Sequence, residues 1–361
     1  MPCDKNKDAN SNNKDTLIGS CFGCYSGYAK NEKIRYNSSS GGVITALLTF
    51  ALENKIITGA IVARQKNDNI LFGESFLAKT KEEIIQSQKS KYIPVLMDNV
   101  LKKFSNFTLE EKIAVVGLPC QFSAIEKSGF KEKVYYKFGL FCGHTPSSHG
   151  LDLFLNKVAK IKKEEIDKID FRGQGWPGNV SIFKKDGTIL KFSFSFFWSI
   201  VGSIFFYPKK CLGCSDCLCN SSDISFGDAW LPEFKKDSLG HSLIIARTQK
   251  GVDLLKKAEK AGVIEIFPVL PQKVLLSQIT TIYIKKKMLN YFYGNKKEGL
   301  KLSILDCLLF FLFSASLFLA KNNFFKKILY ILPPKFFYLH TGFLGRIYNR
   351  KAKHDFKEFI S

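Results

Sequence analysis

Two short apolar runs, each followed by a turn that contains a cysteine, constrain the fold of this chain most strongly. Ile113–Val116 leads into Gly117–Cys120, and Val134–Phe141 leads into Cys142–His144. Each run predicts a buried strand, and each turn is followed by a stretch that predicts a helix. Strand, turn and helix repeated in this way indicate an α/β unit with a parallel sheet. We therefore expect Cys120 and Cys142 at the carboxyl edge of one sheet, where ligands bind.

The 361 residues suffice for two or three structural units. We divide them into a flexible polar leader (1–16), an N-terminal domain (17–108), a second domain (109–272) and a tail (273–361). The expected fold class is α/β with α+β elements: an N-terminal α/β unit, a parallel-sheet unit with a cysteine-rich insertion, and a helical basic tail. Within the second domain, the alternation of Phe192–Phe197 predicts a half-buried strand.

Composition limits the class of protein and of partner. Hydrophobic residues make up 45% of the chain, which excludes wholesale disorder. The 54 Lys+Arg against 32 Asp+Glu give a net charge of +22, which predicts an anionic partner such as a membrane surface, a cofactor or a nucleic acid. The leader contains no apolar secretory core, so we expect a cytoplasmic, reducing location where clustered cysteines serve metal or redox chemistry.

The densest chemistry lies in a run of four cysteines, spaced C-x-x-C-x-x-C-x-C (Cys211, Cys214, Cys217 and Cys219). Thiolates at this spacing can bind zinc or an iron–sulfur cluster. Cys217 and Cys219 would crowd Cys214, so a subset of the four together with Cys120 and Cys142 is a second possibility. Cys21, Cys24 and Cys307 carry weaker signals, and a lone cysteine is commonly a small buried apolar residue.

A Ser/Gly run stands before a helix-period stretch that begins at Val43. Ser38, Ser39, Ser40, Gly41 and Gly42 precede it. A helix start has unpaired backbone N–H groups and a positive dipole end, so this run predicts either an anion-binding cradle or a simple N-cap.

Together these motifs resemble the beta subunit family of coenzyme F420 hydrogenases and dehydrogenases, over roughly Leu17 to Leu270. The order and spacing of the motifs carry the resemblance. They are Arg35 with Ser38–Gly42, Ser90–Tyr92, Gly117–Gln121, Gly139–Cys142, Cys211 with Cys214 and Asp216, Asp223–Trp230, Gly240–Ser242 and Arg247-Thr248.

The resemblance implies an iron–sulfur flavoprotein oxidoreductase with FAD beside one 4Fe-4S cluster and with coenzyme F420, a deazaflavin, as a possible substrate. It implies Cys120, Cys142, Cys211 and Cys214 as cluster ligands, with Cys217 and Cys219 as alternates. It also implies flavin contacts from Ser38, Ser39, Ser40, Gly41, Gly42, Ser90, Lys91 and Tyr92. The second domain then carries the iron–sulfur site, and the N-terminal domain contacts the flavin. Some members stand alone and are associated with polysaccharide synthesis, and this chain has no nickel–iron hydrogenase features.

Several further residues have both a functional and a structural interpretation. His144 is a candidate for proton transfer or an ordinary loop histidine. Asp223 and Asp228 either orient the site or serve turns, and Trp176 and Trp230 either stack on a ring or pack. Lys91 is expected to offset the charge of the flavin pyrophosphate.

The tail combines apolar and basic residues. Residues 301–361 hold ten Lys+Arg and three Asp+Glu, a net charge of +7, and Leu302–Ala320 contains Asp306 as its one charged residue. This composition favours a helix on an anionic membrane surface, with a spanning helix or a helical pair packed on the domain as alternatives. We expect a peripheral protein on the cytoplasmic membrane face.

Two other functional classes remain open. One is a zinc-knotted binding protein, and the other is a scaffold at a membrane-associated assembly. We expect no nucleic-acid partner, because no ordered RNA-binding motif is present. A redox partner protein or a small electron carrier is expected instead.

Overall fold

The computed structural model describes residues 17–104, 107–108, 110–293, 303–321 and 328–360, so the predicted leader lies outside it. Twelve strands are found in these described residues. They are β1 (Gly23–Ala29), β2 (Gly59–Gln65), β3 (Gly73–Ala78), β4 (Val95–Leu96), β5 (Ile113–Gly117), β6 (Val134–Leu140), β7 (Ile166–Asp170), β8 (Asn179–Lys184), β9 (Ile189–Ser193), β10 (Ile224–Asp228), β11 (Ser242–Ala246) and β12 (Ile264–Pro268).

The helices surround these strands and form the C-terminal region. They are α1 (Glu32–Asn37), α2 (Val43–Glu53), α3 (Lys81–Gln86), α4 (Asp98–Phe104), α5 (Pro119–Lys127), α6 (Ser148–Phe154), α7 (Phe194–Val201), α8 (Lys209–Leu212), α9 (Gln249–Lys260), α10 (Pro271–Ile282), α11 (Asn290–Tyr293), α12 (Ile304–Lys321), α13 (Pro334–Asp355) and α14 (Lys357–Ile360). A π-helical segment, Tyr283–Leu289, joins α10 to α11.

Nine strands form one mixed sheet in the order β12-β1-β11-β10-β6-β5-β2-β3-β4. Its centre is parallel, because β10, β6, β5 and β2 run in the same direction. The remaining strands, β7, β8 and β9, form a separate antiparallel sheet. The predicted α/β class with a helical tail is confirmed. Strands from both predicted domains share the large sheet, and the division at residue 108 stays a prediction.

Helices cover both faces of the large sheet, as its mostly buried central strands require. On one face, α2 and α9 pack against Ala60, Phe138 and Phe226 through their buried apolar residues. On the other face, Phe122 and Ile125 of α5 pack against Val115 and its neighbours. Helix α9 shows why such helices form: Thr248 caps its start, and its leucines are buried on one side while its lysines face outward.

The strand predicted over Phe192–Phe197 is wrong beyond its first two residues. Strand β9 ends at Ser193, and α7 begins at Phe194. The Ser193 hydroxyl accepts a hydrogen bond from the backbone N–H of Phe196, which caps the helix. Phe194, Phe197 and Val201 are buried at helical spacing in an aromatic cluster, so tertiary packing overrides the short alternation.

The tail packs against the body of the protein. Leu309, Phe313 and Leu317 of α12 are buried in a cluster with residues of α10, and α13 adds Leu344 and Tyr348 to it. No helix in the described part of the chain combines the length and apolar content that crossing a membrane requires.

Candidate functional site

One large cavity opens at the carboxyl ends of the parallel strands β2, β5, β6 and β10. Its volume is about 1370 Å³, larger than the 300–1,000 Å³ typical of a site for one small ligand. Most of the candidate residues predicted from the sequence line it: Ser38, Ser39, Ser40, Gly42, Ser90, Lys91, Tyr92, Cys120, Cys142, His144, Cys211, Cys214, Asp228 and Trp230. Gly41 does not, because it packs so tightly against β1 and β11 that an added Cβ would collide with the carbonyl oxygen of Gly27.

Four thiols form one part of the wall. Cys120 lies in the first turn of α5, Cys142 follows β6, and Cys211 and Cys214 lie at and after α8. Burial, reinforced by the charges of the other three thiols, raises the pKa of Cys142 to about 12 despite the opposing effect of Lys285. The pKa of Cys142 thus responds to Cys120, Cys211 and Cys214, which line the same cavity.

A buried lysine accompanies these thiols. Lys285 is 1% exposed, and its Nζ donates a hydrogen bond to the Sγ of Cys214 over 3.3 Å. Burial alone would lower the pKa of Lys285, but the neighbouring thiols Cys142 and Cys214 outweigh that effect and raise it. The ammonium in turn opposes the rise in pKa that burial causes at Cys142 and Cys211.

The described residues contain no group of three or more His, Cys, Asp or Glu side chains placed so that they could hold a metal ion. Four thiols from three separate segments nevertheless border one cavity, so the type of donor, though not a ligand arrangement, fits an iron–sulfur cluster. A neighbouring ammonium that donates to one sulfur is consistent with this fit.

Cys217 and Cys219, the alternate ligands, lie elsewhere. Both are 0% exposed and neither lines the cavity. Cys217 packs in the apolar cluster around Leu212 and Val274, and Cys219 packs in the cluster around Val115. The carbonyl of Cys217 accepts a hydrogen bond from the backbone N–H of Cys142 over 2.9 Å, so it supports the loop of a candidate ligand.

The Ser/Gly run forms a loop between α1 and α2 whose hydroxyls are engaged within the protein. Ser38 donates to the carbonyl of Ile34 over 2.7 Å, Ser39 accepts from the N–H of Ser90 over 2.8 Å, and Ser40 lies 3.0 Å from Ser242 Oγ. Gly42 has φ of +78°, which begins α2 without a side-chain cap. The backbone N–H groups at the start of α2 are therefore the hydrogen-bond donors that this loop offers to an anion in the cavity.

The Ser90–Tyr92 segment lies beside this loop, because the Ser90 N–H donates to the Ser39 hydroxyl. The ammonium of Lys91 donates to the carbonyl oxygens of Ser87, Gln88 and Lys89. Burial lowers the pKa of Lys91 to about 7. In this conformation the ammonium caps the end of α3, and its predicted role toward a pyrophosphate stays a prediction.

Arg172, which sequence reasoning missed, joins three of the predicted segments. Its side chain is fully buried and pairs with Asp228 over 2.9 Å. It also donates to the carbonyl of Ser39 over 2.5 Å and to the Tyr92 hydroxyl over 3.0 Å. These partners are 56 to 133 residues away in sequence, so no local pattern reveals this role.

Aromatic rings form another part of the wall. Phe194 stacks on Tyr92 with ring centroids 5.4 Å apart, and it stacks on Trp230 at 6.4 Å. Trp198 lines the cavity beside them, whereas Trp176 lies behind Trp230. Flat, apolar rings of this kind suit a planar heterocycle.

The other candidates divide between the cavity and the fold. Asp228 lines the cavity, but Asp223 accepts hydrogen bonds from the Lys137 N–H and the Thr248 hydroxyl and so serves the strands. His144 stacks on Tyr207 at 3.9 Å, and among the described residues nothing bonds its buried Nε2. Burial, with a smaller effect from Lys285, lowers the pKa of His144 to about 3, so its imidazole is neutral near pH 7.

Family models match two parts of the chain that line this cavity. Both models describe the beta subunit of coenzyme F420 hydrogenase/dehydrogenase: the N-terminal model matches residues 24–102, and the C-terminal model matches residues 110–271. The chain belongs to this family. The predicted resemblance is therefore confirmed, and the cavity is a feature of a coenzyme F420 hydrogenase/dehydrogenase beta subunit family member.

Named relatives support this family assignment. The chain is 27% identical to the coenzyme F420 hydrogenase subunit beta of Methanococcus voltae, over 74% of this chain and 94% of that protein. It is 29% identical to the coenzyme F420-dependent sulfite reductase of Methanocaldococcus jannaschii, over 65% of this chain and 37% of that protein. A chain of the F420-reducing [NiFe] hydrogenase complex from Methanosarcina barkeri has a similar fold, with a TM-score of 0.59 and 24% identity, covering 80% of this chain and 98% of that chain.

The cavity of this family member extends beyond the segments that the family models match. Lys285, Tyr338 and Asn349 line it, although the matched region ends at residue 271. The C-terminal region therefore completes the wall that the family segments begin.

Proposed function

We propose that this protein is an iron–sulfur flavoprotein oxidoreductase that couples two-electron chemistry of FAD and coenzyme F420 to one-electron transfer through a 4Fe-4S cluster. One observation carries the proposal: a single cavity gathers the four candidate thiols and the candidate flavin-contacting segments. Family membership supports an F420-linked redox role.

Cys120, Cys142, Cys211 and Cys214 would hold the cluster. When bound, FAD exchanges a pair of electrons with a substrate and a 4Fe-4S cluster exchanges one electron, so together they join the two kinds of chemistry. The protein holds the sulfur atoms on separate segments and supplies the Lys285 ammonium beside them.

The chain's own groups also orient the flavin. The N–H groups at the start of α2 would bind its pyrophosphate, and the aromatic wall of Tyr92, Phe194, Trp198 and Trp230 would bind a planar ring. Arg172 fixes this arrangement, because it holds the Ser39 carbonyl, the Tyr92 hydroxyl and the Asp228 carboxylate at once. His144 offers a neutral imidazole that can hold a proton at one ring nitrogen.

The decisive experiment is anaerobic purification followed by measurement of iron, sulfide and flavin and by an absorption spectrum. We expect a yellow-brown protein with about four irons and one FAD per chain, whose flavin absorbance bleaches when reduced F420 is added. A colourless protein that binds zinc and no iron would overturn the redox proposal and favour the zinc-knotted binding or scaffold alternative.

A redox partner protein or a small electron carrier is the proposed exchange partner. The relatives include proteins named as subunits of hydrogenases and of formate dehydrogenase, which supports a partner for this chain. A role in polysaccharide biosynthesis rests on the sequence resemblance alone and stays a prediction.

We also propose that the tail rests on the cytoplasmic face of an anionic membrane. Ile304, Phe311 and Phe318 of α12 are 91%, 67% and 66% exposed. The exposed charged side chains of α13 and α14 are mostly basic: Lys335, Arg346, Arg350, Lys353 and Lys357 beside Glu358. Exposed apolar and cationic side chains on neighbouring helices suit an anionic lipid surface.

Vesicle flotation tests this attachment. The full chain should float with vesicles that contain phosphatidylserine, should not float with phosphatidylcholine alone, and should be released by salt. Ile304→Ser should weaken flotation, whereas Ile189→Ser, a matched change at a 46% exposed isoleucine of β9, should not. Equal behaviour of the two variants would contradict the proposal.

A further inference from the structure

Lys285 is an ammonium buried at the cysteine part of the cavity wall. It lies on the π-helical segment Tyr283–Leu289 and lines the cavity. Within the described part of the chain, no carboxylate forms an ion pair with it, and its hydrogen-bond partner is Cys214 Sγ at 3.3 Å. An ammonium buried without a carboxylate is costly unless other negative charge lies beside it. Thiolates on the four cysteines would supply that charge.

The segment that carries Lys285 is anchored from its far side. Two residues before it, the Tyr283 hydroxyl donates to Asp306 of α12 over 2.5 Å. Two residues after it, Lys287 pairs with Asp306 at 3.4 Å and with Asp355 of α13. The buried network that docks the tail therefore fixes the backbone from which Lys285 reaches Cys214.

We propose that Lys285 is a positioning residue that raises the reduction potential of a cluster held by Cys120, Cys142, Cys211 and Cys214, an inference that rests on the function proposed above. Reduction adds one electron to the cluster, with no bond made or broken. A nearby fixed cation and a hydrogen bond to a ligand sulfur both stabilise the added negative charge. They therefore lower the free energy of the reduced state more than that of the oxidised state, which raises the reduction potential.

The position of Lys285 also assigns a role to the region beyond residue 271, where the family model ends. The tail helices anchor the segment that places the Lys285 ammonium beside the candidate cluster ligands. Lys286 is the adjacent residue with the same charge, and it does not line the cavity. This pair of lysines provides a matched comparison.

The test is a potentiometric titration of the anaerobically purified full chain with dithionite, followed by electron paramagnetic resonance, beside iron analysis. We expect Lys285→Met to retain iron and to shift the potential to a more negative value. Lys285→Arg should stay near wild type, and Lys286→Met should produce no comparable shift. An iron-loaded Lys285→Met protein with an unchanged potential overturns the inference, as does an equal shift in Lys286→Met.

Failure of the inference and failure of the proposed function give different results. A wild-type chain without iron overturns both, whereas an iron-loaded chain whose potential ignores residue 285 overturns the inference alone. If Lys285→Met does not hold iron, Lys285→Gln retains a hydrogen-bond donor without the charge. A wild-type potential in that variant then overturns the inference, and a more negative potential supports it.

Discussion

Cys214 and Cys217 are three residues apart, yet they belong to different environments. Cys214 lines the cavity and accepts a hydrogen bond from Lys285. Cys217 is wholly buried among apolar side chains. The turn at Asp216 separates them, because its carboxylate accepts hydrogen bonds from the N–H groups of Leu218 and Asn220 over 3.1 and 2.9 Å. Regular cysteine spacing therefore shows which thiols can reach a common centre, but the intervening turn decides which of them do.

The largest expected effect is loss of iron when Cys214, the member of the pair that lines the cavity, is replaced. Cys214→Ser should lose most of the bound iron and the visible absorbance, because a serine hydroxyl is a poor ligand for a cluster. Cys307→Ser, which changes an exposed cysteine of α12, is the matched control and should retain both. If Cys214→Ser binds as much iron as the wild type, Cys214 is not a cluster ligand and the proposed contrast with Cys217 is wrong.

A substitution beside the candidate flavin-contacting segments should leave both cysteines unaffected. Arg172→Lys keeps the charge but cannot reproduce the hydrogen bonds to Ser39, Asp228 and Tyr92. We expect FAD affinity to fall about tenfold, equivalent to roughly one lost hydrogen bond to a charged group, about 1.5 kcal/mol. Iron content should not change, and flavin fluorescence with iron analysis measures both. Parallel loss of iron and FAD would show that the two parts of the wall are not independent.

The buried member of the pair should matter for stability alone. Cys217→Ser places a hydroxyl among apolar side chains, so the free energy of unfolding should fall by about 1–3 kcal/mol. Denaturant unfolding measures this loss, and iron content should equal that of wild type. A clear loss of iron at unchanged stability would move Cys217 into the ligand set.

The smallest expected effect is a dependence of that stability difference on pH. Burial raises the pKa of Cys217 to about 11, above its unfolded value near 9. As the pH rises, the unfolded chain therefore releases this proton at a lower pH than the folded chain does. The free energy of unfolding of the wild type consequently falls between about pH 9 and 11. The difference in unfolding free energy between wild type and Cys217→Ser should narrow across that range. A constant difference from pH 8 to 11 would contradict the buried environment.

Strand ends, which depend on local patterns, could be predicted from the sequence, and with them the positions of Cys120 and Cys142. The Ser/Gly loop and the Ser90–Tyr92 segment also lie at the cavity, and the flavin contacts that the resemblance implied for them stay a prediction. The helix at Phe194 could not be predicted, because its burial depends on an aromatic cluster assembled from distant segments. The roles of Arg172 and Lys285 could not be predicted for the same reason, since their partners are remote in sequence.

The position of β1 in the sheet has a consequence for how the chain is made. This strand emerges from the ribosome before every other strand of the sheet, but its hydrogen-bonding neighbours are β11 and β12, which end at Ala246 and Pro268. More than 200 residues must be synthesised before either edge of β1 is paired. Pairings of such long range slow folding and leave a strand edge exposed meanwhile. A nascent chain that stalls before β11 would therefore present β1 as a target for chaperones or for mispairing.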